Sequence, residues 1–391
     1  MILPGATLGI LGGGQLGRMF VVAARTMGYS VVVLDPEAGC PAAQLADRHI
    51  QANYTDQAAL DQLAQTCVAF TTEFENVPAS ALEYLAKTCP VRPAASALAI
   101  AQDRIREKTF LQVQGFDTAA FAAVTQRDAL AAALQQVNAP ALLKTSRAGY
   151  DGKGQRWVRT LAEAEKAFDD MGGNPCVLEA GIEIQVEISV LIARGVDGSV
   201  IAYPPSENSH CDGILDVSIV PARVSAEISA RATESAKRIA ALLDYCGVLA
   251  VEFFIAKDGR LLVNEIAPRP HNSGHYTLDA CHTSQFEQQV RALCGLPLGD
   301  ASLHSAVVMV NLLGDLWRAG QAPPWEQVLA NPRAKLHLYG KREARPGRKM
   351  GHYTCLSERV EDALSQALAI QKALVGNAAS VQGGMLNAAD A

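Results

Sequence analysis

Two glutamates in the middle of the chain, Glu252 and Glu265, have the spacing to face each other across a β-hairpin. Residues 247–254 alternate as a strand, and Asp258-Gly259 before the apolar run 261–263 predicts a hairpin with a two-residue turn. When the residues that flank this turn are paired, the register places the two glutamates directly opposite each other, with Cβ atoms about 4.5–5.5 Å apart. Two carboxylates so close within apolar strands repel each other, so the pair requires a positive partner.

A divalent cation would satisfy this pair. Oxygen-only ligands suit Mg²⁺, which keeps several waters and completes its coordination shell with substrate phosphates. The alternative is that Glu252 and Glu265 face solvent on an open sheet. The apolar neighbours Val251, Phe253 and Ile266 make that the weaker interpretation, so the hairpin predicts a magnesium site that serves a nucleotide.

A second candidate feature is a glycine-rich segment over residues 146–155, which follows Lys144 at the end of an apolar strand. Such a loop can fold over a triphosphate, with Lys153 and backbone N–H groups on its oxygens while Lys144 holds the α- and β-phosphates. The loop would act as a lid and protect an activated acyl phosphate from water. An exposed hairpin tip would explain the glycines, but it would not explain two lysines with Tyr150 and Asp151 between them.

The strand after this lid, Cys176 to Ile182, ends in Glu179 and Gly181, and Glu187 lies on the strand that follows. If this segment forms a hinge between two domains, it can offer backbone groups to adenine and a carboxylate to ribose hydroxyls. The residue pattern specifies this role only weakly.

The first glycine loop, Gly12-x-Gly14-x-x-Gly17, lies between a strand and a helix, and Asp35 ends the next strand. This pattern meets the criteria for a dinucleotide-binding fingerprint, so a nicotinamide-dependent oxidoreductase is a serious alternative. The same backbone can hold any small anion at the helix N-terminus. A plain turn is less favoured because Gln15 adds a polar side chain, and the loop by itself leaves NAD and other anions open.

The order of elements predicts two or three domains in 391 residues. Strands and helices alternate up to about residue 95, beginning with strands at Thr7–Leu11 and Ser30–Leu34, which is typical of a doubly wound parallel sheet. A βα-rich block that holds the second glycine loop extends to about Asn311. A connector rich in Pro, Ala and Gly then leads to a small basic domain.

Composition excludes several classes of protein. A net charge of −6 argues against general nucleic-acid binding. Nine cysteines without a C-x-x-C pair predict reduced thiols and a cytoplasmic location, and no apolar run reaches the roughly 18 residues of a membrane span. The spacing of His271 and His275 could suggest zinc on a helix, but the prolines and glycine around them predict a loop and no zinc. The basic run 341–349 favours a pocket for one phosphate monoester.

Four motifs in this order resemble the carboxyaminoimidazole ribonucleotide synthetase family: residues 13–19, 149–155, 264–275 and 345–352. The resemblance spans nearly the whole chain, and the last two motifs separate this family from related ATP-grasp formyltransferases and carboxylases. It implies an α/β and α+β chain with the ATP-grasp fold. The expected parts are an N-terminal doubly wound domain (1–95), an ATP-grasp domain (96–311, with a lid subdomain at about 117–181), and a connector with a small C-terminal domain (312–391).

The resemblance also implies a cytoplasmic homodimer that carboxylates the exocyclic amine of aminoimidazole ribonucleotide with ATP and bicarbonate through carboxyphosphate. It assigns ATP to Arg104, Lys144, Gly149, Tyr150, Asp151, Gly152, Lys153, Gly154, Gln155, Glu179, Ala180, Gly181, Ile182, Glu187, His210, Asn264 and Glu265. It assigns Mg²⁺ to Glu252 and Glu265, and bicarbonate or its phosphorylated form to Arg269, His271 and Asn272, beside the phosphate-binding Lys144 and Lys153. It assigns the ribonucleotide to Gln15, Leu16, Glu73, Tyr150, Asp151, Lys341, Arg348 and Lys349.

One residue departs from the family pattern, since Ala148 stands where the lid usually has the first of two glycines. The remaining alternatives are the oxidoreductase and a non-catalytic nucleotide-binding subunit. The carboxylate pair distinguishes them, because an oxidoreductase does not need it and a subunit without activity would be expected to have lost Glu252, Glu265 or Lys144.

Overall fold

The computed structural model describes residues 1–147, 149, 153–317 and 321–376. Ala148, Tyr150, Asp151 and Gly152 of the predicted lid therefore lie outside the described residues. Three sheets organise the described chain, and a large cavity lies where they meet.

The N-terminal sheet is wholly parallel, as the alternation of elements predicted. Its elements are β1 (Thr7–Leu11), α1 (Gln15–Thr26), β2 (Ser30–Leu34), β3 (Arg48–Ile50), α2 (Gln57–Thr66), β4 (Ala69–Thr72), α3 (Ala79–Leu85) and α4 (Ala95–Ala101). The strand order is β3-β2-β1-β4. The two central strands are buried almost throughout, which is why they read as continuous apolar runs. The carboxyl ends of β1 and β4 point their loops into the cavity.

A small antiparallel sheet follows. Its elements are α5 (Arg104–Val113), β5 (Phe121–Val124), α6 (Leu130–Val137), β6 (Ala141–Thr145), β7 (Gln155–Val158), α7 (Leu161–Asp170) and β8 (Cys176–Ala180), with strand order β5-β8-β6-β7. Helices α6 and α7 cover one face through a buried apolar cluster. Leu142 is paired with Glu179, so Lys144, two residues along β6, lies on the same face as that glutamate.

The central sheet has nine strands. Its elements are β9 (Ile184–Arg194), β10 (Val200–Ala202), β11 (Ser206–Cys211), β12 (Ile214–Val220), α8 (Ala226–Leu242), β13 (Gly247–Ala256), β14 (Leu261–Ala267), α9 (Thr277–Ala280), α10 (Gln285–Cys294), β15 (Ala306–Leu313), α11 (Glu326–Leu329), β16 (Ala334–Leu338), β17 (Lys349–Ser357) and α12 (Val360–Val375). The order is β14-β13-β9-β11-β12-β15-β17-β16, and β10 pairs with β9. Because β15 runs through residues 311 and 312 and joins β12 to β17, the last part of the chain extends this sheet. The three-domain division stays a prediction.

The hairpin β13–β14 differs from its predicted geometry in two ways that cancel. The Ala256 N–H donates to the Arg260 carbonyl, so the loop has three residues and not two. Its last residue, Gly259, has φ +82°, the left-handed conformation that ends a three-residue hairpin loop. A β-bulge between Glu252 and Phe253 then shifts the register back, so Glu252 lies opposite Glu265 as predicted.

No helix within the described ranges combines the length and the apolar character that crossing a bilayer requires.

Candidate active site

One cavity of about 950 Å³ collects most of the residues singled out in the sequence. Of these it is lined by Gln15, Leu16, Glu73, Arg104, Lys144, Gly149, Lys153, Gln155, Glu187, His210, Glu252, Asn264, Glu265, Arg269, His271, Asn272, Lys341, Arg348 and Lys349. Gly154, Glu179, Ala180, Gly181 and Ile182 do not line it. A second cavity of about 590 Å³, beside Tyr203 and Pro221, has Asp300 as the only charged residue in its lining, so we place the chemistry in the larger one.

One end of the cavity is built on a buried carboxylate with two lysine partners. Glu179 Oε2 lies 3.1 Å from Lys144 Nζ and 3.4 Å from Lys108 Nζ. Burial raises the pKa of Glu179, but the charges of the two lysines outweigh it and lower this pKa to about 2. Burial lowers the pKa of Lys144, and the carboxylate opposes that shift. The other carboxylate oxygen, Oε1, is buried and has no hydrogen-bond partner among the described residues.

Sequence reasoning missed Lys108, whose side chain is 1% exposed. It lies on α5 between two other buried residues, Glu107 and Leu111. The i, i+1, i+4 spacing of Glu107, Lys108 and Leu111 on one helix face was the available signal for their burial. A helix with many charged side chains is normally expected to face solvent, so this spacing alone does not predict burial.

A hydrogen-bonded histidine and glutamate lie between the lysines and the hairpin. His210 Nδ1 on β11 is 2.7 Å from Glu187 Oε2 on the neighbouring strand β9. Burial lowers the pKa of His210, but the hydrogen bond and charge of Glu187 raise it more, so the net shift is upward. Both side chains were assigned to ATP by the family resemblance, and the structure places them together on the cavity wall.

The facing glutamates of the hairpin form the acidic floor of the cavity. Glu265 Oε2 accepts from Arg104 Nη1 at 3.1 Å, and Glu252 Oε1 lies 3.4 Å from His271 Nε2. Burial and the charge of Glu265 raise the pKa of Glu252 to about 7. Arg104 therefore pairs with Glu265, whereas Glu252 has the imidazole of His271 beside it, and two facing carboxylates in this setting suit a divalent cation.

A third carboxyl group lies behind this floor and was also missed from the sequence. Glu107 on α5 accepts from the backbone N–H of Ile266, the residue after Glu265. Burial and the charge of Glu265 raise its pKa to about 8, which keeps it protonated near neutral pH. Its bond to the backbone of β14 fixes the strand that presents Glu265.

The loop after β14 carries the residues predicted for bicarbonate. Arg269 Nε lies 2.5 Å from Glu75 Oε2, an ion pair that sequence reasoning missed although Glu73 and Glu75 follow the same strand. Asn272 is buried, and among the described residues neither its Oδ1 nor its Nδ2 has a hydrogen-bond partner. Burial and the nearby Arg269 lower the pKa of His271 well below its usual value, so this imidazole is neutral.

The His271 ring is oriented by buried hydroxyl groups. Its Nδ1 lies 2.8 Å from Ser273 Oγ, which lies 2.6 Å from Ser189 Oγ. Asn208 Nδ2 donates to Ser189 Oγ, and Ser206 Oγ lies 2.7 Å from the same Ser189 Oγ. This network fixes the ring so that Nε2 faces Glu252 and the cavity.

The first glycine loop binds a carboxylate of its own chain. Glu73 accepts from the N–H groups of Gly14 at 2.7 Å and Gly17 at 2.6 Å, and Asp35 accepts from Gly13 at 2.7 Å. A Cβ atom at position 14 would lie 2.3 Å from Glu73 Oε1, so a side chain there would displace the Glu73 carboxylate. The donors that a dinucleotide pyrophosphate would need are engaged by Glu73, which argues against the oxidoreductase interpretation.

Basic residues form the far end of the cavity. Lys341 Nζ donates to the Lys349 carbonyl at 2.7 Å, Arg348 Nη2 lies 3.8 Å from Glu37 Oε1, and the Gly347 N–H donates to Asp315. The Arg348–Glu37 contact joins the turn before β17 to a loop of the N-terminal sheet, and Gln44 Nε2 also donates to the Gly340 carbonyl at 2.8 Å. The result is a concentration of positive charge opposite Gln15 and Leu16.

Three family models match the chain in sequence. Residues 5–102 match the ribonucleotide synthetase preATP-grasp domain, and residues 109–286 match the ATP-grasp domain. Residues 307–366 match the phosphoribosylaminoimidazole carboxylase C-terminal domain. The ATP-grasp fold with a preceding N-terminal domain, which the motifs predicted, is confirmed.

Curated relatives and solved structures match along nearly the whole chain. The N5-carboxyaminoimidazole ribonucleotide synthase of Brucella melitensis is 48% identical over 91% of this chain and 98% of its own, and that of Bacillus subtilis is 45% identical over 92% and 93%. The crystal structure of an ADP complex of an N5-carboxyaminoimidazole ribonucleotide synthetase superposes with a TM-score of 0.89 at 43% identity, covering 95% and 97% of the two chains. A synthase from Aspergillus clavatus in complex with ADP and 5-aminoimidazole ribonucleotide gives 0.87 at 32% identity, covering 95% and 98%.

Proposed function

Since the chain belongs to the N5-carboxyaminoimidazole ribonucleotide synthase family, we propose how its large cavity carries out the reaction of that family. The protein is an ATP-dependent ligase of purine biosynthesis. It uses ATP and bicarbonate to carboxylate the exocyclic amine of 5-aminoimidazole ribonucleotide, and it releases ADP and phosphate. The single observation that carries our assignment of residues is that this cavity joins Lys144, the facing carboxylates and the basic turn.

The lysine end holds the nucleotide in this proposal. Lys144 is fixed by Glu179 on a rigid strand, so its ammonium group can contact phosphate oxygens without a further loss of side-chain freedom. Glu179 does not line the cavity, so its part is to hold the Lys144 ammonium group in place. Glu187 and His210 line the path towards the hairpin, and Lys153 with Gln155 covers the phosphates from the lid.

Glu252 and Glu265 would hold Mg²⁺, with Asn264 beside them. The fit rests on the charge balance of the site, because burial and the charge of Glu265 raise the pKa of Glu252 although the charges of His210 and Arg269 act in the opposite direction. When bound, the cation neutralises negative charge on the transferring phosphoryl group. The residues themselves keep both carboxylates on one face and fix their separation through the hairpin register.

Arg269, His271 and Asn272 bind bicarbonate and then the carboxyphosphate formed from it. Arg269 supplies positive charge, and Glu75 fixes the direction of its guanidinium group. The unpartnered amide of Asn272 supplies one donor and one acceptor, which suits a hydrogencarbonate ion. The Nδ1 of the neutral His271 accepts from the Ser273 N–H, so Nε2 carries the proton and can donate a hydrogen bond to an oxygen of bicarbonate or carboxyphosphate.

The basic turn and the first glycine loop hold the ribonucleotide. Lys341, Arg348 and Lys349 lie where a phosphate monoester can bind, and Gln15 with Glu73 lies on the facing wall. Tyr150 and Asp151, which lie outside the described residues, stay predictions for the same substrate. We further propose the three-domain division given above and a cytoplasmic homodimer, on the strength of the family resemblance.

An assay of ADP release tests the function directly. With ATP, Mg²⁺ and bicarbonate present, we expect 5-aminoimidazole ribonucleotide to stimulate ADP release and to be consumed in a one-to-one ratio with it. The control omits bicarbonate, which should return the rate to background. If the ribonucleotide gives no stimulation, the substrate assignment is wrong, whereas oxidation of NADH by the protein would revive the oxidoreductase alternative.

A further inference from the structure

Helix α10 begins with a fully buried glutamine that is bonded to the loop carrying His271. Gln285 Oε1 accepts from the His271 N–H at 2.8 Å, and Gln285 Nε2 donates to the His271 carbonyl at 2.8 Å. The primary amide therefore pairs with both backbone groups of one residue, as a neighbouring β-strand would. Nε2 also lies 3.2 Å from Nδ1 of His275.

The turn after His271 packs directly against this amide. The Gly274 N–H donates to the His271 carbonyl at 3.0 Å and closes the turn. A Cβ atom at position 274 would lie 2.8 Å from Gln285 Oε1 and 2.1 Å from Leu191 Cδ2. The close fit means that the loop can shift only if the glutamine side chain shifts with it.

His271 is thus held at two points. Gln285 fixes its backbone, and Ser273 fixes its ring through Nδ1. Together these contacts determine where Nε2 lies, 3.4 Å from Glu252 Oε1. Loss of the backbone contact would leave the ring bonded to Ser273, which belongs to the same turn and would move with it.

A second glutamine on the same helix makes the same contact elsewhere. Gln288 Nε2 donates to the Gly299 carbonyl at 2.7 Å, and its Oε1 accepts from the Gly299 N–H at 3.0 Å. Gln288 is also fully buried, but neither it nor Gly299 lines the large cavity. The helix therefore offers one amide that supports the cavity and a matched amide that supports a distant loop.

We propose that Gln285 is a positioning residue of the bicarbonate site and sets the location of His271. The inference rests on the proposed role of His271 in holding bicarbonate or carboxyphosphate. Gln285 acts through the loop backbone and does not touch substrate. Its effect on catalysis comes from pre-organisation of the imidazole.

The test compares Gln285→Met with Gln288→Met, since each removes two side chain-to-backbone hydrogen bonds from α10. We expect both variants to lower Tm by similar amounts. Gln285→Met should lower kcat/KM for bicarbonate at least about tenfold, because small displacements of a catalytic group are costly. Gln285→Met should also leave KM for ATP within about twofold of the wild-type value and reduce the amount of ribonucleotide consumed per ADP released. Gln288→Met should keep the wild-type bicarbonate kinetics and the wild-type ratio of ribonucleotide consumed to ADP released.

A conservative variant and a double variant complete the test. Gln285→Glu keeps an acceptor for the His271 N–H and loses the donor to its carbonyl, so its bicarbonate kinetics should fall between those of wild type and Gln285→Met. In a His271→Gln background, Gln285→Met should cost little more, since both changes act on one group.

The outcomes separate the two levels of the proposal. Equal kinetics for the Gln285 and Gln288 variants at equal Tm would overturn the positioning role, and so would full additivity with His271→Gln. If His271→Gln itself leaves the bicarbonate kinetics unchanged, the assigned function of His271 is wrong, whatever the Gln285 variants do.

Discussion

Two pairs of glutamates line the same cavity and are stabilised in different ways. Glu73 and Glu75 follow β4, and each has its own partner from the chain, two glycine N–H groups for the first and Arg269 for the second. Glu252 and Glu265 face each other across the hairpin, and Arg104 pairs with Glu265 whereas Glu252 has His271 and the Asn264 amide beside it. The difference teaches that acidic residues at a cavity predict a metal only when their own chain leaves them short of positive partners.

One member of each pair shows how an ion-pair partner changes the pKa. Burial raises the pKa of Glu75, but the charge and hydrogen bond of Arg269 outweigh it and lower this pKa below its usual value. Burial and the charge of Glu265 instead raise the pKa of Glu252 to about 7. Glu75 is therefore stable as an anion in the protein, whereas Glu252 gains most from an added cation.

The largest expected effect comes from removing one member of the hairpin pair. Glu265→Gln should lower kcat for ribonucleotide-dependent ADP release by about 10²- to 10³-fold, the usual cost of losing a preorganised electrostatic group. It should also abolish the increase in Tm that Mg²⁺ gives with ADP, because the cation loses a charged ligand. Glu183→Gln, which changes an exposed glutamate paired with Lys257, is the control and should retain activity. A variant with normal kcat and normal response to Mg²⁺ would show that the hairpin does not hold the metal.

Changing the other pair should give a smaller effect of a different kind. Glu75→Gln removes the buried partner of Arg269, so kcat/KM for bicarbonate should fall by about tenfold to a hundredfold, or roughly 1.4–2.7 kcal/mol. The dependence of the rate on Mg²⁺ concentration should stay that of the wild type. If Glu75→Gln also changed the dependence of the rate on Mg²⁺ concentration, the two pairs of glutamates would not have separate roles.

The smallest effect is a pH dependence of stability at Glu73. Burial and the charge of Asp35 raise its pKa to about 7, against the lowering effect of the Gly17 and Gly14 N–H groups. Because the folded state then keeps a proton that the unfolded state loses, this group lowers stability as pH rises from about 4.5 to 7, and the effect is constant above that range. In thermal unfolding at closely spaced pH values, the Tm of the wild type minus the Tm of Glu73→Gln should fall by a few degrees as the pH rises from about 4.5 to 7. A difference that rises with pH would mean that the glycine N–H groups outweigh burial.

Local patterns predicted the strands well. The spans Thr7–Leu11 and Ser30–Leu34 agree with the sequence to the residue, because an apolar run bounded by glycine is a short-range signal. The facing of Glu252 and Glu265 was also predicted, although its derivation held only through two compensating differences. A third residue in the loop and a bulge near Asn264 depend on how β14 packs, which the turn residues alone do not reveal.

Several residues of the site could not be recognised from their neighbours in the chain. Lys108, Glu107 and Gln285 lie in helices with charged or polar sequences, where such side chains usually face solvent. Their burial depends on partners that are remote in sequence: Glu179 for Lys108, Ile266 for Glu107 and the His271 backbone for Gln285.

The sequence by itself determined the family, the order of the motifs and the types of residue that could bind a nucleotide, a cation and a phosphate, because these follow from short patterns. Only the tertiary structure decided what the first glycine loop binds. Gly14 and Glu73 are 59 residues apart in sequence, and folding brings the carboxylate to the loop N–H groups that a dinucleotide would otherwise use. The physical reason is that a short motif fixes which backbone groups can form hydrogen bonds, whereas the packing of the whole chain determines which partner each of them finds.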